Sequence, residues 1–162
     1  MTVPEFFSWL EGTALAQGVS ESTWLFPTIE TIHVLAIVLV VGSIAMVDLR
    51  LMNLISRERA IEDVLADALP WTWGSFVVAA LSGAALFISK AATYWLNGPF
   101  KWKLLLLLLA GLNMALFHAL TYPRLLTEER RSPPLRARCA GAASLIIWLS
   151  IVALGRWIGF VQ

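Results

Sequence analysis

Residues Ser22 to Met52 read STWLFPTIETIHVLAIVLVVGSIAMVDLRLM. Leu35 to Val47 is an almost unbroken apolar run, and about 20 mostly apolar residues suffice for a helix to cross a bilayer. The stretch ends in Asp48 and Arg50, where lipid should give way to water, and it carries His33 well inside. An ionisable residue at that depth is costly to keep, which makes it a functional hypothesis by default.

Three further apolar stretches follow. The second opens at Pro70 and Trp71, the third at Phe100 and runs through six leucines, Leu104 to Leu109, and the fourth runs from Ala140. Before the first span, Phe6, Phe7, Trp9, Leu10, Ala14 and Leu15 form one apolar side of a short helix suited to the interface plane. The expected fold is therefore all-α, a single integral membrane four-helix bundle with a short amphipathic N-terminal helix over about 4–17 and a turn at Gly18 to Ser22. Spans are expected over about 23–51, 70–95, 100–122 and 140–160. Ala60 to Leu69 reads as a short surface helix, Asn97-Gly98-Pro99 as a tight turn, and Arg124 to Arg138 as a polar loop.

Composition agrees. Of 162 residues, 59% are hydrophobic and 14% are charged, where soluble domains are about 45–50% apolar and about 25% charged. A net charge of +1 and the lack of a basic block exclude nucleic acid as an expected partner, leaving the lipid bilayer. Cys139 is the single cysteine, which excludes an intrachain disulfide and a multi-cysteine metal or iron–sulfur site. The first residues hold Glu5 and Glu11 and no Lys or Arg, unlike a cleaved signal peptide. Arg50, Arg57, Arg59, Arg124, Arg130, Arg131, Arg136 and Arg138 follow spans one and three, whereas the other side holds Lys90, Lys101, Lys103 and Arg156. The positive-inside rule then places both termini on the non-cytoplasmic side of a bacterial inner membrane.

His33 and His118 are the chain's two histidines, and both fall in spans. Neutral imidazole is an axial ligand of haem iron, and bundle cores are common cofactor sites. Two such histidines suggest b-type haem; the alternative is that each hydrogen-bonds across the bundle. At about 1.5 Å per residue, His33 lies about 22 Å before Asp48, and His118 about 9 Å before Arg124. If Asp48 and Arg124 mark one membrane face, the imidazoles differ in depth by about 13 Å. Met114, about 15 Å before Arg124, is the better-levelled partner for His33. A second copy of the chain is another source of ligands. Glu30, three residues before His33, can share its face, and Arg50 and Lys103 are candidates to pair with haem propionates or a quinone oxygen. Asp48 and Arg50 read as a local cap-and-interface pair, and Asn113 as a cross-helix hydrogen bonder. No hydrolase triad, P-loop or glycine-rich dinucleotide loop is present.

The segment His33…Gly42…Asp48-Leu49-Arg50-Leu51-Met52, followed by Pro99-Phe100-Lys101-Trp102-Lys103 and a leucine-rich span, resembles a family of small uncharacterised bacterial four-helix membrane proteins. A histidine in span one, a glycine, an arginine at the span's end and a lysine opening span three are also distantly similar to two larger groups. These are the HemJ-type protoporphyrinogen oxidases, which bind haem, and the CopD-type copper-resistance membrane proteins. The first likeness implies functional positions at His33, Arg50 and Lys103. This chain has Met114 close to where those oxidases carry a further histidine, and its own His118 one turn later.

Three readings result. The leading one is a membrane redox protein that binds haem b and passes electrons, with quinone or a membrane redox partner, through His33 and either His118 or Met114. The second is copper handling or permeation, with His33, Met46, Met114 and His118 as stations at successive depths. The third is a structural subunit or homo-oligomer built on the small-residue faces Ser75/Ala79/Gly83 and Gly155/Gly159.

Overall fold

A computed structural model describes residues 2–123 and 132–161. Helix α1 (Val3–Glu11) starts on a capping box: Glu5 N–H donates to Thr2 Oγ1, and Thr2 N–H donates to Glu5 Oε2 at 2.7 Å. The single lead-in helix expected here is two helices. Gly12 ends α1, and the Thr13 hydroxyl accepts from Ala16 N–H to start α2 (Ala14–Glu21), so Gly18 lies inside a helix and not in a turn.

Ser22 Oγ accepts from the N–H groups of Trp24 and Leu25 at the head of α3 (Leu25–Leu51). Helix α4 (Ile61–Ser89) is continuous through Pro70. The separate surface helix expected over Ala60 to Leu69 is thus its first part. Proline there removes one N–H but leaves the helix intact, a cost that packing against neighbours can offset. Lys90 interrupts the helix, and Tyr94 and Trp95 sit on a short helix of their own, α5 (Ala91–Leu96), outside the second long helix.

Asn97 caps α6 (Gly98–Leu116) by accepting from Phe100 N–H at 3.0 Å. A single wide turn of π-helix, Phe117–Thr121, continues it. Helix α7 (Leu135–Trp157) starts five residues before the expected fourth span, so Arg136 and Arg138 are helical and not part of a loop. Arg124, Arg130 and Arg131, which carry part of the orientation argument, lie outside the described residues.

Four helical stretches are long and apolar enough to cross a membrane: Leu25–Leu51, Ile61–Ser89, Gly98–Thr121 and Leu135–Phe160. They form an all-α up-and-down bundle in which α4 packs on α3, α3 on α7 and α7 on α6. No Cα atoms of α4 and α6 come within 8 Å, so the ring of four stays open between those two helices. At one end aromatic rings bridge the opening. Phe87 of α4 stacks on Phe100 of α6 at 5.3 Å, and Phe7 of α1 packs on Phe87 and on Trp95. Glu11 pins α1 there by accepting from Ala92 N–H at 2.9 Å. Asn97 Nδ2 donates to the carbonyls of Ile158 and Val161, tying the end of the described chain to the head of α6.

Candidate functional site

The bundle holds two polar stations, one near each end. The first is built on His33. Its Nδ1 lies 2.9 Å from Ala79 O and 3.0 Å from Ser82 Oγ, both on α4. A carbonyl only accepts, so Nδ1 carries the proton and donates. The Ser82 hydroxyl hydrogen is given to Val78 O at 2.6 Å, which leaves its lone pair to accept from the ring. In the neutral imidazole Nε2 is then the unprotonated nitrogen. Gly83 makes this approach possible, because a Cβ there would stand 2.9 Å from His33 Cε1. The small-residue stripe Ser75/Ala79/Gly83 is thus turned inward on α3, with Ser75 buried. Glu30 is exposed and does not orient the ring. The Lys103 ammonium of α6 is near enough to act electrostatically on His33, and its Nζ lies 3.6 Å from where a Cβ of Gly155 would stand.

The second station surrounds Asp48, which is 4% exposed. The Ser144 hydroxyl of α7 interacts with its carboxyl, and Oδ2 has no hydrogen-bond partner among the described residues. Gly141 lets α7 close on α3 here: a Cβ would stand 2.8 Å from Asp48 O. Asn113 of α6 donates from Nδ2 to Ala140 O at 3.1 Å, the cross-helix bond its mid-span position suggests. Asp48, Asn113, Met114, His118 and Ser144 share a cavity of about 170 Å³ to which all four long helices contribute. His118 sits on the π turn, exposed, and donates from Nδ1 to Met114 O at 2.9 Å.

Helix rise measures the separation. His33 and Asp48 are about 22 Å apart along α3, and Gly155 and Gly141 about 21 Å apart along α7. Lys103 and His118 are likewise about 22 Å apart along α6. His33 therefore stands at the level of Lys103 and not at the level of His118. Met114 belongs to the Asp48 cavity, about 16 Å along α6 from the level of Lys103. Counting from Asp48 and Arg124 leaves Met114 about 7 Å from the level of His33, whereas in the packed helices it lines the Asp48 cavity.

Arg50 also stays away from His33. Its Nε and Nη2 donate to Arg59 O at 3.0 and 2.8 Å, closing the turn after α3, where Asn53 and Ser56 take positive φ. The guanidinium is buried and makes no ion pair with Asp48 among the described residues, so the two are not the cap-and-interface pair their spacing suggests. Among the described residues no three His, Cys, Asp or Glu side chains cluster as a metal site. What sequence reasoning missed is Asp48 as an interior acid, with Ser144 opposite. Gly141, one turn before Ser144 on α7, was the available sign of a close helix approach.

A family model described as a family of unknown function, DUF6644, matches residues 6–161. The chain belongs to that family. Neither a curated protein nor a solved structure matches it.

Proposed function

We propose that this DUF6644 protein is a membrane redox protein that carries b-type haem on His33 and passes electrons to or from a quinone. The reading places it in the bacterial inner membrane with both termini outside the cytoplasm. The observation that supports it is the His33 ring. Its Nδ1–H is committed to the Ala79 carbonyl and Ser82, which is how a protein fixes the tautomer and aim of a metal-ligating imidazole. Haem bound there supplies a reversible one-electron couple. Lys103 brings a positive charge to the same level, suited to a propionate, whereas Arg50 is occupied by the Arg59 carbonyl at the other end. That division limits the HemJ-type likeness to His33 and Lys103. Among the described residues no other His or Met stands at this level, so a further ligand to the haem would come from a second copy.

The separation of His33 from Met114 and His118 supports copper handling as a second reading, with soft Met and borderline His ligands as stations along the bundle. One sample decides between them. The detergent-purified chain should show a Soret band that shifts on dithionite reduction, with stoichiometric iron by metal analysis. A flat visible spectrum with bound copper would favour the second reading and overturn the first.

A further inference from the structure

We propose that the Asp48 cavity is the seat of a quinone headgroup, entered sideways from the bilayer between α4 and α6. The assignment rests on the redox reading in choosing a quinone over another ring; the cavity itself does not depend on His33. Size comes first. About 170 Å³ is close to the ~150 Å³ apolar cavity known to take one benzene, and below the ~300 Å³ at which drug-sized pockets begin. One substituted six-membered ring fits, and a porphyrin does not. Access comes second. The backbones of α4 and α6 stay apart, and the aromatic stack that bridges them stands at the His33 end. At the Asp48 end, Trp73, Phe76, Met114 and His118 both line the cavity and are exposed on the outside of the bundle. They mark a lateral mouth through which an isoprenoid tail can lie in lipid.

Polar chemistry comes third. A ring with two opposed oxygens needs hydrogen-bond partners that serve both its carbonyl and its hydroxyl form. Asp48 lines the cavity, its buried Oδ2 has no hydrogen-bond partner among the described residues, and the carboxyl donates when protonated and accepts when ionised. Asn113 spends one N–H on Ala140 O and keeps its Oδ1. His118 spends Nδ1–H on Met114 O and keeps Nε2 as an acceptor in its neutral form. Apart from Thr72 and Ser144, the remaining wall is apolar or aromatic, as headgroup sites require.

Trp73 and Trp148 line the cavity and serve as reporters. The full-length protein in detergent is titrated with a short-tailed benzoquinone while tryptophan emission is followed. Saturable quenching is expected, and it should largely vanish in a Trp73→Phe/Trp148→Phe double variant. Gly111→Phe tests the volume, because a Cβ at Gly111 meets nothing within 4 Å and the ring can enter the open space. Apparent affinity should fall by about tenfold or more in Gly111→Phe and in Asp48→Leu, the loss expected when a buried partner is removed. His33→Ala should abolish any Soret band and leave the quenching curve unchanged, so a failed haem reading and a failed quinone site give different results. Quenching that never saturates, or that persists unchanged in both cavity variants, overturns the proposal; the latter outcome would mean that the ring binds elsewhere and lipid chains fill the cavity.

Discussion

Two close approaches hold the stations in place, and both need glycine for a reason that can be measured. A methyl group at Gly83 would meet the His33 ring at 2.9 Å, and one at Gly141 would meet the Asp48 backbone oxygen at 2.8 Å. The first obstacle is a ring held by two hydrogen bonds and the second is backbone, so neither yields freely. Gly83→Ala and Gly141→Ala should each cost about 1–3 kcal/mol from overpacking, well above the ~0.5–1 kcal/mol that alanine returns as a better helix former. Gly155→Ala is the control. Its methyl would stand 3.6 Å from Lys103 Nζ, the mobile tip of a long side chain. It should be neutral or slightly stabilising. Thermal melting of the three variants in one detergent checks the order, and a Gly155→Ala variant as damaged as the other two would contradict it.

Helix ends, more than helix interiors, separate expectation from structure. The four long apolar runs are legible because lipid demands them residue by residue, and no competing pattern satisfies a backbone in hydrocarbon. Where α4 begins is less legible, because Pro70 looks like a start signal and is an interior residue. The lead-in splits at Gly12 because the Thr13 hydroxyl offers a second cap, a local choice that an amphipathic stripe does not register. The α3–α4 turn depends on one side chain. Arg50 places two N–H groups on the Arg59 carbonyl from a buried position. Arg50→Ala should destabilise the protein by about 1.5–3 kcal/mol, the range for hydrogen bonds to charged groups. Arg50→Lys should recover little, since an ammonium lacks the planar fork. Limited proteolysis of the Asn53 to Ala60 turn, compared across wild type and both variants, reads the effect directly. Equal protection in all three would remove the turn's dependence on Arg50.

Across the whole molecule, the depth arithmetic on the two histidines was legible from the sequence: they stand at different levels. The ruler itself was not, because Asp48 looks like a residue at the water boundary and is an interior acid. Charged residues at span ends are usually anchors, and apart from Gly141, the one sign of a close approach, the sequence does not mark Asp48 as taken inside beside Ser144. Likewise, Lys103 reads as an interfacial lysine until α7 presents Gly155 beneath it. The result is a bundle with one polar station per end, about 22 Å apart, and a lateral opening confined to one of them. This arrangement suits two chemistries kept apart better than one shared iron. The most direct test is the reduced-minus-oxidised difference spectrum of membranes carrying wild type, His33→Ala, Met114→Ala and His118→Ala at matched expression. Haem α and Soret signals are expected to disappear in His33→Ala and to persist in the other two variants. Signals that survive in His33→Ala, or that vanish with Met114 or His118, would contradict that assignment.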